Sequence, residues 1–256
     1  MSNWERRLFE AKEFLVQKGV GRVRYVVVFG SGLGLDEREG FITIKASDIP
    51  GYPMPGVEGH SGVIVYDNSE GNLFIEGRKH LYEGEGIEPT LFNVRLAKTL
   101  GAGRVILTCA AGGLNPKFET GDIVLVHDLL NFQWGAFLPY WSSCRLSFTI
   151  NEKIITSAHD LSIYIHQGTL CSIVGPSYET PAEAKMFRLI GADVMSMSIL
   201  PEVLEANALG LEVAVLAVVS NHHFKSHNGT SHSEVLAHTR QARGNLHRLI
   251  FATVKD

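Results

Sequence analysis

Three times in this chain a helix-like stretch closes on a glycine and gives way within a few residues to an apolar run. The junctions are Leu100-Gly101 before residues 104–109, Ile190-Gly191 before 192–198, and Leu209-Gly210 before 213–220. Glycine readily takes the left-handed conformation that ends a helix, and a short apolar run bounded by such signals reads as a buried strand. Helix, glycine, strand is the grammar of βαβ units, repeated here in topology and not in sequence. It predicts an α/β fold: a single domain over residues 1–256 with a central, mostly parallel mixed β-sheet flanked by helices. The 256 residues, 45% apolar and 20% charged, are enough for one large core.

Ahead of the first junction, Trp4, Leu8, Ala11 and Leu15 recur at helical spacing and predict an amphipathic helix over residues 4–18. Tyr25-Val-Val-Val-Phe29 reads as a buried parallel strand, followed directly by Gly30-Ser31-Gly32-Leu33-Gly34. Such glycines let backbone N–H groups approach an anion and Ser31 adds a hydroxyl, although a tight structural turn would look the same. A dinucleotide fingerprint would need glycine where Leu35 stands. A loop over 51–62 delivers His60 to a strand at 63–66; a turn at 68–72 leads to a second strand at 73–76. Beyond it, Arg78, His80 and Tyr82 fall on alternate residues and share a side if the backbone is extended. Arg78 offers a planar two-point grip and His80 a second donor, which suits an oxyanion. Residues 123–126 form another strand, and the aromatic-rich segment 131–148 reads as a loop against a ligand or partner subunit, or as a surface lid.

Residues 175–198 hold the densest set of signals. Thr180 is an N-cap, Pro181 suits the first helical position, and Glu183 completes a capping box, so a helix runs from Pro181 to Gly191. Tyr178 and Glu179 then sit on the turn before that helix, while Met197 and Ser198 lie at the carboxyl end of the next strand, where α/β sheets gather ligands. Asn221 ends the strand at 213–220 with a donor and an acceptor together, as a heterocycle edge requires. Ser231 and Glu234 form a second capping box with His232 in the first turn of a C-terminal helix.

Other chemistries find little support. A net charge of −4 makes no electrostatic case for nucleic acid or an acidic membrane. His222, His223, His227 and His232 lack an H-E-x-x-H pattern or carboxylates at ligand spacing, so no metal is expected. Three cysteines without a C-x-x-C pair favour a reducing compartment. The apolar run at 213–219 is far short of the ~20 residues that span a bilayer. The expected location is the cytoplasm.

Gathered on one sheet edge, Ser31, His60, Arg78, His80, the Ala110 backbone and Ser198 suit a dianion. Glu179 and Asn221 suit a polar planar ring, with Tyr178 and Met197 as apolar faces. Phosphate beside a nucleoside's anomeric carbon implies phosphorolysis, driven by positioning and by hydrogen bonds that strengthen as charge develops. Asn221, Glu179 and His80 are the candidate catalytic residues. A carboxylate at Glu179 accepts from the protonated ring nitrogen of hypoxanthine or guanine and is repelled by the lone pair of adenine.

The segments Gly30-Ser31-Gly32-Leu33-Gly34, Gly59-His60, the run from Gly77 to Gly84, 110–117, 175–180, Met197-Ser198 and Pro201-Glu202-Val203 resemble the motifs of the trimeric purine nucleoside phosphorylases. The resemblance spans nearly the whole chain. It implies phosphate binding by Ser31, His60, Arg78, His80, Ala110 and Ser198, ribose binding by Tyr82, Met197 and His232, and base binding by Tyr178, Glu179 and Asn221. It also implies a homotrimer that needs no metal or cofactor beyond inorganic phosphate as co-substrate. The expected reaction converts inosine or guanosine, and their 2′-deoxy forms, to base and (deoxy)ribose 1-phosphate in purine salvage. Within the resemblance, Cys109 and Ser196 stand where the family usually has Asn and Gly, and Glu58 where Pro is common. The aromatic loop after Asn131 is shorter, so Phe132, Trp134 or Phe137 would have to serve a neighbour's ribose site. The alternatives are a methylthioadenosine phosphorylase-type enzyme, against which Glu179 and Asn221 both argue, and a non-catalytic nucleoside-binding regulator.

Overall fold

All five residues of Tyr25–Phe29, strand β1, are buried. Val26 and Val28 enter one apolar cluster while Tyr25, Val27 and Phe29 enter another. A strand apolar on both faces belongs in the middle of a sheet covered on both sides. The computed structural model, which describes residues 2–35, 39–57, 59–133, 144–224 and 232–255 (His232 by its backbone only), bears this out.

Helix α1 (Asn3–Gln17) precedes β1; β2 (Ile42–Lys45), β3 (Val63–Asp67) and β4 (Asn72–Glu76) follow it. Then come α2 (Glu88–Thr99), β5 (Arg104–Gly113), β6 (Ile123–Phe132), α3 (Phe148–Asp160), β7 (Ile165–Ile173) and α4 (Pro181–Leu189). Strand β8 (Val194–Ser196), α5 (Leu200–Ala208), β9 (Glu212–His222) and α6 (His232–Val254) complete the chain. The strands pair in the order β2-β3-β4-β1-β5-β8-β7-β6-β9, and β9 also pairs with β5, so the second half of the sheet closes on itself. Parallel pairs join β1 to β4 and β5, β5 to β9, β6 to β7 and β7 to β8; the other four pairings are antiparallel. The predicted mixed, mostly parallel sheet is therefore present. One core cluster takes Leu8, Ala11 and Leu15 of α1, Phe92 and Leu96 of α2 and Val203 of α5. The opposite cluster takes Ile150 and Ile154 of α3 and Leu246, Leu249 and Ile250 of α6.

The three junction glycines have φ of +86° (Gly101), +103° (Gly191) and +67° (Gly210), in the left-handed region that favours glycine. At α4, Thr180 Oγ1 accepts from the Glu183 N–H at 3.2 Å, and Glu183 returns the bond to the Thr180 N–H at 2.8 Å, closing the predicted capping box.

Other boundaries moved. Strand β5 continues through Gly113 and β6 to Phe132, both longer than their apolar runs, because β5 pairs with β9 to its end and β6 pairs with β7 to its end past a bulge at His127. The segment expected as a strand at 192–198 is a strand only at Val194–Ser196, which leaves Met197 and Ser198 just beyond it. Asn221 lies inside β9 instead of after its end. Of the aromatic segment, Phe132 ends β6 and Phe148 opens α3, while Trp134, Phe137, Tyr140 and Trp141 lie outside the described residues. Glu58, His227, Ser231 and the His232 side chain lie outside them too.

Candidate active site

The carboxyl ends of β1, β4, β5 and β9 open onto one cleft enclosing about 630 Å³ of empty space, partly open to solvent, within the size range of small-molecule sites. Ten predicted residues line it together: Ser31, Arg78, His80, Tyr82, Ala110, Tyr178, Glu179, Met197, Ser198 and Asn221. His60 stands behind Ser31, with Nε2 2.8 Å from Ser31 Oγ.

At the anion-suited end, chain reversal after β4 presents the Arg78 N–H to His60 Nδ1 at 2.9 Å. A neutral imidazole that accepts at Nδ1 carries its proton on Nε2, so it donates to Ser31 Oγ and leaves the serine hydroxyl hydrogen for a guest. The glycine loop is otherwise occupied. The N–H groups of Gly30, Gly32, Leu33 and Leu35 go to Thr108 Oγ1, the Gly59 and Gly30 carbonyls and Glu76 Oε1. The expected backbone nest is thus largely a structural turn whose contribution to the cleft is Ser31.

Arg78 is buried and held by Glu202, with Nε 2.9 Å from Oε2, while Nη1 donates to the Thr108 carbonyl at 2.8 Å and Nη2 to the Val28 carbonyl at 3.3 Å. Of the five guanidinium N–H donors, one on each terminal nitrogen is left for an anion. The guanidinium is therefore a fixed charge in the wall more than an open two-point fork.

His80 follows in an extended stretch and packs its ring between His60 (centroids 5.2 Å apart, edge to face) and Tyr82 (4.9 Å, stacked). Its N–H donates to Glu83 Oε1 at 2.7 Å, and its Nδ1 lies 3.5 Å from the same oxygen. Burial alone would raise the Glu83 carboxyl, but hydrogen bonds from His80, Lys79 and the backbone of His80 and Gly56 outweigh it and hold it at about 2.

Ser198 is buried, with Oγ 3.2 Å from Ser196 Oγ and its carbonyl accepting from Ser172 Oγ at 2.6 Å. Next to it Ile199, a β-branched residue, sits at φ +83° as it leads into α5. Backbone of that kind costs of order 1–3 kcal/mol and persists only where packing over-determines it. Ile199 is fully buried.

At the other end, Tyr178 and Glu179 occupy the turn ahead of α4, as the capping box requires. The register of β5 against β9 slips between Ala111 and Gly112: Ala111 faces Val219 and Gly112 faces Asn221, making Ser220 the extra residue. The bulge re-aims the chain, and Ser220 Oγ lies 2.9 Å from Asn221 Oδ1 and 3.2 Å from the Ala111 carbonyl. Met197 forms the floor beside Gly175, whose φ is +77° and where a Cβ would sit 2.5 Å from Met197 Sδ. Burial, reinforced by the Glu83 charge, pushes the Tyr82 phenol up to about 12, and burial with the Glu179 charge raises Tyr178, so both are neutral donors at ordinary pH.

Several partners escaped the sequence reading. Glu202, Glu83, Ser220 and His223 all support site residues; a carboxylate in the apolar run Ile-Leu-Pro-Glu-Val-Leu was a signal for Glu202, and its three-residue offset from His80 for Glu83. Cys109 and Ser196, the two departures from the resembled motifs, both line the cleft. Burial pushes the Cys109 thiol up to about 11, which keeps it protonated. Among the described residues no group of three or more His, Cys, Asp or Glu side chains is placed to hold a metal ion.

Known proteins share this arrangement of chain. Residues 24–255 match the family model of the phosphorylase superfamily. Purine nucleoside phosphorylase 1 of Bacillus subtilis is 36% identical, with 97% of each chain covered. The purine nucleoside phosphorylase of Bos taurus is 30% identical over 94% of this chain and 91% of that one. Among solved structures, isoform 2 of purine nucleoside phosphorylase from Schistosoma mansoni, in complex with cytosine and ribose-1-phosphate, superposes with a TM-score of 0.85 at 25% identity, covering 97% of this chain and 95% of that one. Another purine nucleoside phosphorylase of that organism, in complex with adenosine, gives 0.82 at 28% identity over 97% and 96%. With the superfamily matched along nearly its whole length and curated relatives at this identity, the chain belongs to the purine nucleoside phosphorylases of the phosphorylase superfamily.

Proposed function

We propose that this enzyme cleaves 6-oxopurine nucleosides, inosine and guanosine and their 2′-deoxy forms, with inorganic phosphate as co-substrate and no other cofactor. The observation that carries the reading is the shared cleft: fixed anion donors at one end, a buried carboxylate and a primary amide at the other. A phosphate oxygen bonds to the anomeric carbon as the glycosidic bond breaks, and the bonding electrons leave on the base. Ser31, His80, Ser198, the Ala110 backbone and the remaining Arg78 donors hold the phosphate. Asn221 hydrogen-bonds the departing purine at nitrogen 7 and its exocyclic oxygen, where negative charge develops. Glu179 accepts the ring N–H that hypoxanthine and guanine have and adenine lacks. Tyr82, Met197 and His232 hold the ribose.

A homotrimer in the cytoplasm belongs to the same reading, and the three unpaired cysteines agree with a reducing compartment. Turnover of inosine, guanosine and adenosine with and without phosphate tests the chemistry: the 6-oxo substrates are consumed only when phosphate is present, and ribose 1-phosphate accumulates. Glu179→Gln lowers kcat/KM for inosine by about 100-fold or more, as expected for an unpaired buried group, and Asn221→Asp gains adenosine cleavage. Equal cleavage without phosphate rejects the mechanism.

A further inference from the structure

We propose that His223 is the positioning residue that aims Glu179 at the purine, an inference that rests on the base-binding role just given to Glu179. His223 follows the last residue of β9, and its backbone N–H is fixed to the Gly113 carbonyl at 3.1 Å. Its Nε2 meets Glu179 Oε1, the two side chains being 11% and 4% exposed. That nitrogen is buried and finds no hydrogen-bond partner elsewhere among the described residues. The space for the ring exists because residue 112 is glycine: a Cβ there would lie 2.8 Å from His223 Nε2 and 3.3 Å from both His223 Cδ2 and Met195 Cγ. Being strand backbone paired on both sides, Gly112 cannot step aside.

The chemistry gives this contact a purpose. A carboxylate on a turn has several rotamers, and a desolvated one without a donor is costly. The nearby phenol of Tyr178 and thiol of Cys171 are both made harder to ionise, by burial first and then by the Glu179 charge, and neither group carries a positive charge in any ionisation state. An imidazole N–H on Oε1 does two things at once. It satisfies one carboxylate oxygen inside the wall, and it fixes the plane of the group so that Oε2 is presented to the cleft for the ring N–H of a 6-oxopurine. The histidine never touches substrate; it sets where the acceptor points. The imidazole becomes legible only when strand β9, the Glu179 turn and Gly112 are seen side by side.

Steady-state kinetics on His223→Phe, His223→Gln and Gly112→Ala test this. His223→Phe keeps a flat ring without the donor and raises KM for inosine about 10- to 100-fold, the worth of a hydrogen bond to a charged group. KM for phosphate stays within about twofold, and the inosine-over-adenosine preference falls by the same factor. His223→Gln, which retains an N–H donor, recovers most of the loss. Gly112→Ala pushes the ring away with His223 present and shifts the same two quantities, providing the reading if His223→Phe does not fold. A folded His223→Phe or Gly112→Ala with unchanged inosine KM and unchanged base preference overturns the proposal while leaving the phosphorolysis reading intact. If the wild type does not turn over inosine at all, that reading falls instead, and titration with hypoxanthine alone decides the role of His223: binding about 10-fold weaker in His223→Phe supports it, and equal binding overturns it.

Discussion

Arg78 and Glu202 form a buried ion pair whose two carboxylate contacts, at 2.9 and 3.1 Å, are supplemented by the Val28 and Thr108 carbonyls. Such a pair adds little net stability relative to an apolar replacement, yet stranding one member in the interior is expensive. Its value is geometric: a positive charge that cannot swing out is fixed in the wall of the cleft before any anion arrives. Glu202→Ala is expected to destabilise the fold by about 3 kcal/mol, in the range for breaking a buried pair. For a chain of this size that is a fall in Tm of roughly 6 °C or more. Calorimetry checks it, and a Tm within a degree of wild type would mean that Arg78 does not depend on this carboxylate.

Among the elements, the single helical turn at Leu81–Glu83 carries more than its length suggests. Glu83 gathers the His80 and Gly56 N–H groups and the Lys79 ammonium, at 2.7, 2.9 and 2.9 Å, and its pKa falls from 4.5 to about 2. Because the folded value lies below the unfolded one, the stabilisation is fully present above about pH 4.5 and is lost as pH falls towards 2. Comparing wild type with Glu83→Gln by denaturant unfolding should give a difference on the order of 2 kcal/mol at pH 7, shrinking by more than half at pH 3. A difference independent of pH would contradict the assignment.

Local rules made the junctions of this fold legible. Glycine at a helix end, a capping box at Thr180 and the apolar run of β1 are each decided within a few residues, and each formed as expected. β2, α3 and β7 were missed for a physical reason. In β7 the partly exposed residues at 165–167 blur the alternation, because burial there is set by the closed half of the sheet and not by a simple inside and outside. The Ser220 bulge is invisible to sequence in the same way, since a register slip is a property of two strands and β5 had to be in place to define it.

For the whole molecule, ten of the residues that line the cleft were readable, from their chemistry or from the motifs they share with the resembled family, and most of their supports were not. Glu202 reaches Arg78 across 124 residues of chain, and His223 reaches Glu179 only where β9 ends beside the turn before α4. Spacing along the sequence carries no record of such meetings; the sheet creates them. Closure of β5, β8, β7, β6 and β9 into a ring sets the carboxyl end of β5 against β8 and β9, so that Ala110, Ser198 and Asn221 face one volume. Phosphorolysis in this cleft depends on that convergence. A crystal structure of the protein soaked with hypoxanthine and ribose 1-phosphate tests it most directly. The phosphate is expected against Ser31, His80 and Ser198 and the base against Glu179 and Asn221, in one continuous cleft; electron density placing the two groups in separate sites, or the base away from Glu179, would contradict the proposed phosphorolysis.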